Sequence, residues 1–223
     1  MKTLLINAHP DFTNPQHFSN QLEERFLAAY RQRFAMDDLT ILNLYENDIP
    51  RIEAGQLWSV WDKQSRDIVL TPQEKRAAKR AQHLLSQFMA HKRIVVVSPL
   101  HNFNVTSRMK DYIDNILIAR QTFRYISTPD TNGKASVGLL TDDYRALLLI
   151  ASGSLYTRHD YYDHLDFAPR YLQAMFQDVM GFSQFDLVRA EGTATLAPET
   201  VLNHALDHFQ GAFTHFYRND PMK

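Results

Sequence analysis

The chain has 223 residues, 44% hydrophobic and 22% charged, which suits one domain with a sizeable core. Its 24 Lys+Arg nearly balance 25 Asp+Glu, and a formal charge of -1 excludes the basic footprint of a nucleic-acid or anionic-membrane binder. With no cysteine there is no disulfide, thiolate metal site or Cys nucleophile, and the 7 glycines form neither G-x-G-x-x-G nor a Walker loop.

The apolar run over 3–7 reads as a buried parallel strand and is too short for a signal-peptide core. Leu22, Phe26, Tyr30 and Phe34 follow at helical spacing, with Asn14-Pro15 as the expected cap and first-turn proline. A second strand is expected over 39–44. The segment 45–70 is a long excursion that carries Trp58 and Trp61 and has room for one short helix. Thr71-Pro72-Gln73-Glu74 is a capping box, and behind it Ala77, Ala81, Leu84, Leu85 and Phe88 share a helix face. The β-branched run 94–97 is a strand that should stop at Ser98-Pro99. Thr106 or Ser107 then caps a helix buried through Met109, Ile113, Ile116 and Leu117.

A fourth strand over 146–151 breaks at Ser152-Gly153, a helix spans 168–180 and a fifth strand covers 185–189. The last helix, 198–217, turns Leu202, Ala205, Leu206, Phe209 and Phe213 inward. Strands alternating with helices predict one α/β domain over 1–223 with a parallel sheet. No apolar run approaches the roughly 20 residues of a membrane helix, so a cytoplasmic protein without membrane insertion is expected.

Ligands of such sheets bind at the carboxyl ends of the strands, near the topological switch point. The loops to read are therefore 8–19, 99–105 and 152–170. The first offers His9, His17, Ser19 and backbone amides at a helix start, which suits a phosphate or simply a capped polar turn. The second, Pro99-Leu100-His101-Asn102-Phe103, suits the edge of a planar heteroaromatic, or a proline-initiated turn that sends Phe103 into the core. In the third, His159-Asp160-Tyr161-Tyr162-Asp163-His164 reads as an aromatic lid rather than a metal cluster. Ser152-Gly153-Ser154 lacks the G-x-S-x-G of a nucleophile elbow. His204 and His208 lack a zincin's glutamate, and their helix is expected far from the strand ends, so no metal is expected.

Three segments carry a family resemblance. Ser98-Pro99-Leu100-His101-Asn102-Phe103-Asn104-Val105, Met109-Lys110-Asp111-Tyr112-Ile113-Asp114 and Thr122-Phe123-Arg124-Tyr125 resemble the signature of FMN-dependent NADH azoreductases. These belong to the flavodoxin-like NAD(P)H:quinone oxidoreductases. Ala8-His9-Pro10 with Phe18-Ser19-Asn20-Gln21-Leu22 is similar to that family's phosphate loop.

The resemblance implies a flavodoxin-like three-layer sandwich, strand order 2-1-3-4-5, with helices on both faces. It implies FMN, with NADH or NADPH passing two electrons to quinones, azo compounds or similar small aromatic acceptors by a ping-pong hydride mechanism. His9, His17, Phe18 and Ser19 would surround the phosphate. Pro99, Leu100, His101, Asn102 and Phe103 would follow the isoalloxazine, and Ser152 and Gly153 its pyrimidine side. Phe123, Tyr125 and Tyr156 would line the substrate pocket, with His101 and Tyr125 as candidates for protonation, in a homodimer. The sequence departs from the family at His101, where tyrosine is common, and at Ser154-Leu155, where a glycine pair is common. Ala8-His9-Pro10 also resembles ancillary subunits of potassium-efflux systems. A regulatory subunit, or an electron carrier with little turnover, is therefore the alternative.

Overall fold

The computed structural model describes residues 1–158 and 160–221. Its strands, in chain order, are β1 (Thr3–Asn7), β2 (Leu39–Asn43), β3 (Arg93–Pro99), β4 (Phe123–Tyr125), β5 (Ser136–Gly138), β6 (Arg145–Ser152) and β7 (Gln184–Glu191). Five of them form one parallel sheet ordered β2-β1-β3-β6-β7, which is the 2-1-3-4-5 order expected for the five sheet strands. The helices are α1 (Phe18–Arg33), α2 (Leu57–Ser65), α3 (Pro72–Met89), α4 (Ser107–Ile116), α5 (Phe167–Gln173) and α6 (Pro198–Phe216).

Strand side chains alternate between two cores because successive Cβ atoms point to opposite faces. Leu5, Val95, Val97, Leu147 and Leu149 meet Leu22 and Phe26 of α1 and Phe209 and Phe213 of α6. Leu4, Ile6, Ile94, Val96, Leu148 and Ile150 meet α3, α4 and α5 through Leu84, Phe88, Ile113 and Leu172. Both faces are covered, which is why the central strands read as unbroken apolar runs. The capping box forms: Thr71 Oγ1 accepts the Glu74 amide at 3.3 Å, and Glu74 returns a bond to the Thr71 amide at 2.7 Å.

Several boundaries differ from expectation. α1 starts at Phe18 rather than near Asn14-Pro15, because Asn14 builds a separate turn. The Asn14 side chain accepts the Gln16 amide, and Asn20 Nδ2 holds the carbonyls of Asp11 and Asn14 at 2.9 and 2.8 Å. β3 runs on through Pro99. Leu100 N–H donates to Ala151 at 2.8 Å, so alternation aims proline's missing donor towards β1, which has already left the sheet. In α6, Val201 and Phe216 are buried, whereas Leu202 and Leu206 are half-buried, as is Ala81 in α3. The antiparallel pair β4–β5 was not foreseen, since three-residue strands are too short to show a period.

The expected helix over 168–180 widens into a π-helical run, Ala174–Met180, ended by Gly181 at φ +92°. Gly138 of β5 sits against that end. A Cβ at Gly138 would lie 2.3 Å from the Met180 carbonyl carbon. Gly138→Ala is therefore expected to cost about 1–3 kcal/mol by pushing the β4–β5 hairpin off the end of this π-helical run, measured as a lower urea midpoint. An unchanged midpoint would show that the hairpin moves freely.

Candidate functional site

β1 leads to β2 on one side and the chain later returns to β3 on the other, so a crevice opens at the β1/β3 carboxyl ends. Here Thr106 Oγ1 donates to the Ala8 carbonyl at 3.1 Å, tying the loop after β3 to the loop after β1. The cavity at this point measures 270 Å³ and is lined by His9, Gln16, His17, Phe18, Ser19, Pro99, Ala151, Ser152, Gly153 and Thr193. Seven of the eleven cofactor-binding candidates thus share one space. Gln16, Ala151 and Thr193 were missed. Thr193 follows the end of β7, so the carboxyl-end rule applied to the fifth strand would have found it.

α1 supplies the polar end of this space. His17 at its N-cap makes no side-chain capping bond among the described residues, and the first turn carries no acid. The leading N–H groups and the positive end of the helix dipole are therefore available to an anion. Ser19, 1% exposed, has a buried hydroxyl oxygen with no hydrogen-bond partner among the described residues. A buried orphan hydroxyl is costly and calls for a ligand to satisfy it.

His9 is 7% exposed and stacks on His17 at 4.1 Å between ring centroids. Its Nδ1 accepts the Asp11 amide at 2.9 Å, which requires a lone pair there and places the proton of the neutral ring on Nε2. Burial and then the neighbouring His17 depress its pKa below 6.5, so the neutral donor form persists in mildly acidic solution. His17 Nε2 in turn pairs with Asp11 Oδ2 at 2.9 Å.

This depression has a consequence for stability. A histidine whose folded pKa is lowered contributes stability that is present above its unfolded value and lost as the pH falls through the folded value. Unfolding of the FMN-free protein at pH 7.5 and pH 5 should show wild type losing more stability than His9→Gln. Equal losses would mean that His9 is not held neutral.

The loop after β3 forms a two-residue hairpin. His101 and Asn104 exchange amide–carbonyl bonds at 3.0 and 2.9 Å, while Asn102 and Phe103 take φ +45° and +66°. Both central residues with positive φ define a type I′ turn, in which phenylalanine is strained. Phe103 is 39% exposed and so does not enter the core. The amides of Leu100, His101, Asn104 and Val105 are all engaged, which leaves those of Asn102 and Phe103 for a ligand. His101 stands exposed at the same rim, and Leu100 is partly buried beside it.

The remaining candidates disperse. Phe123 is buried and meets the 73% exposed Tyr125 edge-on at 5.4 Å on β4. Tyr156 is buried against Tyr162 at 6.0 Å and its amide is held by Glu191. Trp61 lines a groove between α2 and α3, and Trp58 faces solvent. His204 and His208 are not remote from the strand ends: they share a 360 Å³ cleft with Glu191, the last residue of β7. His159 of the aromatic lid cluster lies outside the described residues.

A family model described as "Flavodoxin-like fold", Flavodoxin_2, matches residues 1–212. The chain is 49% identical over 218 residues to the FMN-dependent NADH:quinone oxidoreductase 1 of Lactiplantibacillus plantarum, spanning 97% of this chain and 99% of that protein. It is 46% identical over 220 residues to the FMN-dependent NADH:quinone oxidoreductase of Streptococcus agalactiae, spanning 99% and 100%. Among solved structures, an FMN-dependent NADH-azoreductase from Bacillus anthracis in complex with FMN superposes with a TM-score of 0.87. The two are 39% identical, covering 96% of this chain and 98% of that one.

Proposed function

The chain belongs to the Flavodoxin_2 family, and from that membership we propose that it is an FMN-dependent oxidoreductase carrying two electrons from NADH to a quinone or azo acceptor. The observation that carries this reading is one cavity in which an uncapped helix start, a neutral buried histidine and an orphaned buried hydroxyl converge. These groups fit a phosphate monoester. The Phe18 and Ser19 amides, the Ser19 hydroxyl and the His9 Nε2–H are donors, and the dipole of α1 stands in for the absent Lys or Arg.

When bound, FMN supplies the two-electron chemistry that no side chain of this protein offers. The chain's own task is to hold and screen. The Asn102 and Phe103 amides would donate to the edge of the heteroaromatic and so would favour negative charge there. Ser152 and Gly153 border the same space, and the Ser152 hydroxyl is committed to the Ser154 carbonyl at 3.0 Å. The Phe103 ring, held outward by its strained turn, would shield one side of the bound ring from water. His101 and Tyr125, both exposed, are the groups that would hand a proton from solvent to the acceptor.

The reading extends to a homodimer acting on small aromatic acceptors in the cytoplasm, where the NADH it consumes is kept. Ile52, Trp58 and Val69 are 47%, 63% and 80% exposed, apolar side chains of the kind a second copy would cover. The names of the relatives, at 49% and 46% identity over nearly the whole chain, favour turnover over a carrier or ancillary role.

The test is an anaerobic titration of the FMN-loaded protein with NADH, followed by addition of a benzoquinone. The visible flavin band should bleach and then recover with reduction of the quinone. A retained band indifferent to NADH would support the carrier or ancillary reading instead.

A further inference from the structure

The carboxyl ends of β6 and β7 carry a second cleft that the steps above leave unused. Three amide–carbonyl bonds zip the two following loops together: Thr193 to Ser152 at 3.1 Å, Ala194 to Gly153 at 3.2 Å and Gly192 to Ser154 at 3.2 Å. Ser152, Gly153 and Thr193 of this zipper line the FMN cavity. The residues next along the chain, Ser154, Leu155 and Thr195, line a 400 Å³ cleft together with Arg158, Asp160 and Tyr162. The two spaces are therefore neighbours along one edge.

The chain is anchored before and after the charged groups of this cleft. Glu191 accepts the Tyr156 amide at 2.8 Å and the Thr157 hydroxyl, which fixes the backbone just ahead of Arg158. Asp160 Oδ1 accepts the Tyr162 amide at 2.9 Å, which orients its carboxylate and leaves Oδ2 without a bond among the described residues. Arg158 is exposed and makes no hydrogen bond or ion pair among the described residues. It is an uncommitted cation next to a cavity whose own lining contains no Lys or Arg.

A dinucleotide donor brings its nicotinamide to the flavin and must lay its diphosphate and second nucleoside elsewhere. We propose that the cleft beside Ser154 receives the adenosine diphosphate half of NADH, with Arg158 pairing with the diphosphate and Asp160 excluding a 2′-phosphate. Guanidinium is the group suited to bidentate phosphate contact. A carboxylate with one free oxygen accepts from a ribose hydroxyl and repels a phosphate in its place, so the cleft selects NADH over NADPH. The inference rests on the proposed reaction for its choice of donor; the cleft and its charges do not.

The experiment uses FMN-loaded protein with three readouts: steady-state kinetics, turnover with reduced N-benzylnicotinamide, which has no diphosphate, and calorimetric titration with ADP. Arg158→Gln is expected to raise the KM for NADH roughly tenfold with kcat unchanged, and to weaken ADP binding by a similar factor. Its turnover with the benzyl donor should equal that of wild type. Asp160→Asn keeps an oxygen for the Tyr162 amide and is expected to raise kcat/KM for NADPH roughly tenfold. ADP affinity unchanged in Arg158→Gln, or NADPH discrimination unchanged in Asp160→Asn, would overturn the assignment. A wild-type protein that binds ADP but oxidises neither nucleotide would instead overturn the proposed reaction and leave the cleft standing.

Discussion

Asp220→Ala is expected to lower the unfolding free energy by about 3–5 kcal/mol, the cost of stranding a buried charge. The stranded group would be Arg93, which opens β3 and is 0% exposed. Its Nε donates to Asp220 Oδ2 at 2.7 Å, a second bond joins its Nη2 to Asp220 Oδ1, and Nη2 also reaches Asp143 Oδ2 at 2.8 Å. Asp220 is itself buried, so the fork-on-fork pair is shielded from water and salt. Asp143 remains to hold one side of the guanidinium in the variant and keeps the loss within this range.

The same end of the sheet carries further ties to the chain terminus. Arg145 donates to the carbonyls of Phe216 and Arg218 at 3.0 and 2.7 Å, and Tyr217 meets Thr3 at 2.9 Å. The terminal segment thus closes the sheet at the end opposite the functional site. Urea unfolding of wild type, Asp220→Ala and Asp220→Asn would measure the effect, with the asparagine variant intermediate. A loss below about 1 kcal/mol would show that Arg93 finds water or another partner.

Ser19→Ala is expected to move two quantities in opposite directions. The hydroxyl is buried with no hydrogen-bond partner among the described residues, and a group left so costs about 1–3 kcal/mol. Its removal should leave the apoprotein as stable as wild type or more so. With FMN the same hydroxyl is expected to donate to the phosphate. A hydrogen bond to a charged group contributes about 1.5–3 kcal/mol, so the Kd for FMN should rise roughly 10- to 100-fold. Urea unfolding without FMN and quenching of flavin fluorescence on binding give the two numbers. A variant that is less stable yet binds FMN normally would place Ser19 in packing instead of at the phosphate.

Hydrophobic patterning determined the sheet. The runs beginning at Thr3, Ile94 and Ala146 lie in strands buried on both faces, and a chain that covers both faces of a sheet must use continuous apolar strands. The capping box at Thr71 was equally legible, because its two hydrogen bonds are made by residues three apart. The loops after β1 and β3 were marked by residue type, and the rule placing ligands at strand ends turned them into a site.

Tertiary structure decided what depends on residues distant in sequence. No local signal sets Thr193 and His9 in one cavity, since they share it only because β7 runs parallel to β6, three places from β1. Asn14 looked like a helix cap until Asn20 and Asp11 claimed its turn, a competition among side chains that spacing alone does not rank. Phe103 has the composition of a core residue, but a turn requiring positive φ holds it at the rim. Local propensity acts through neighbours a few residues apart. Burial, charge pairing and the accessible face of a loop are set by the packing of the whole sheet, and those are the terms that gave this site its chemistry.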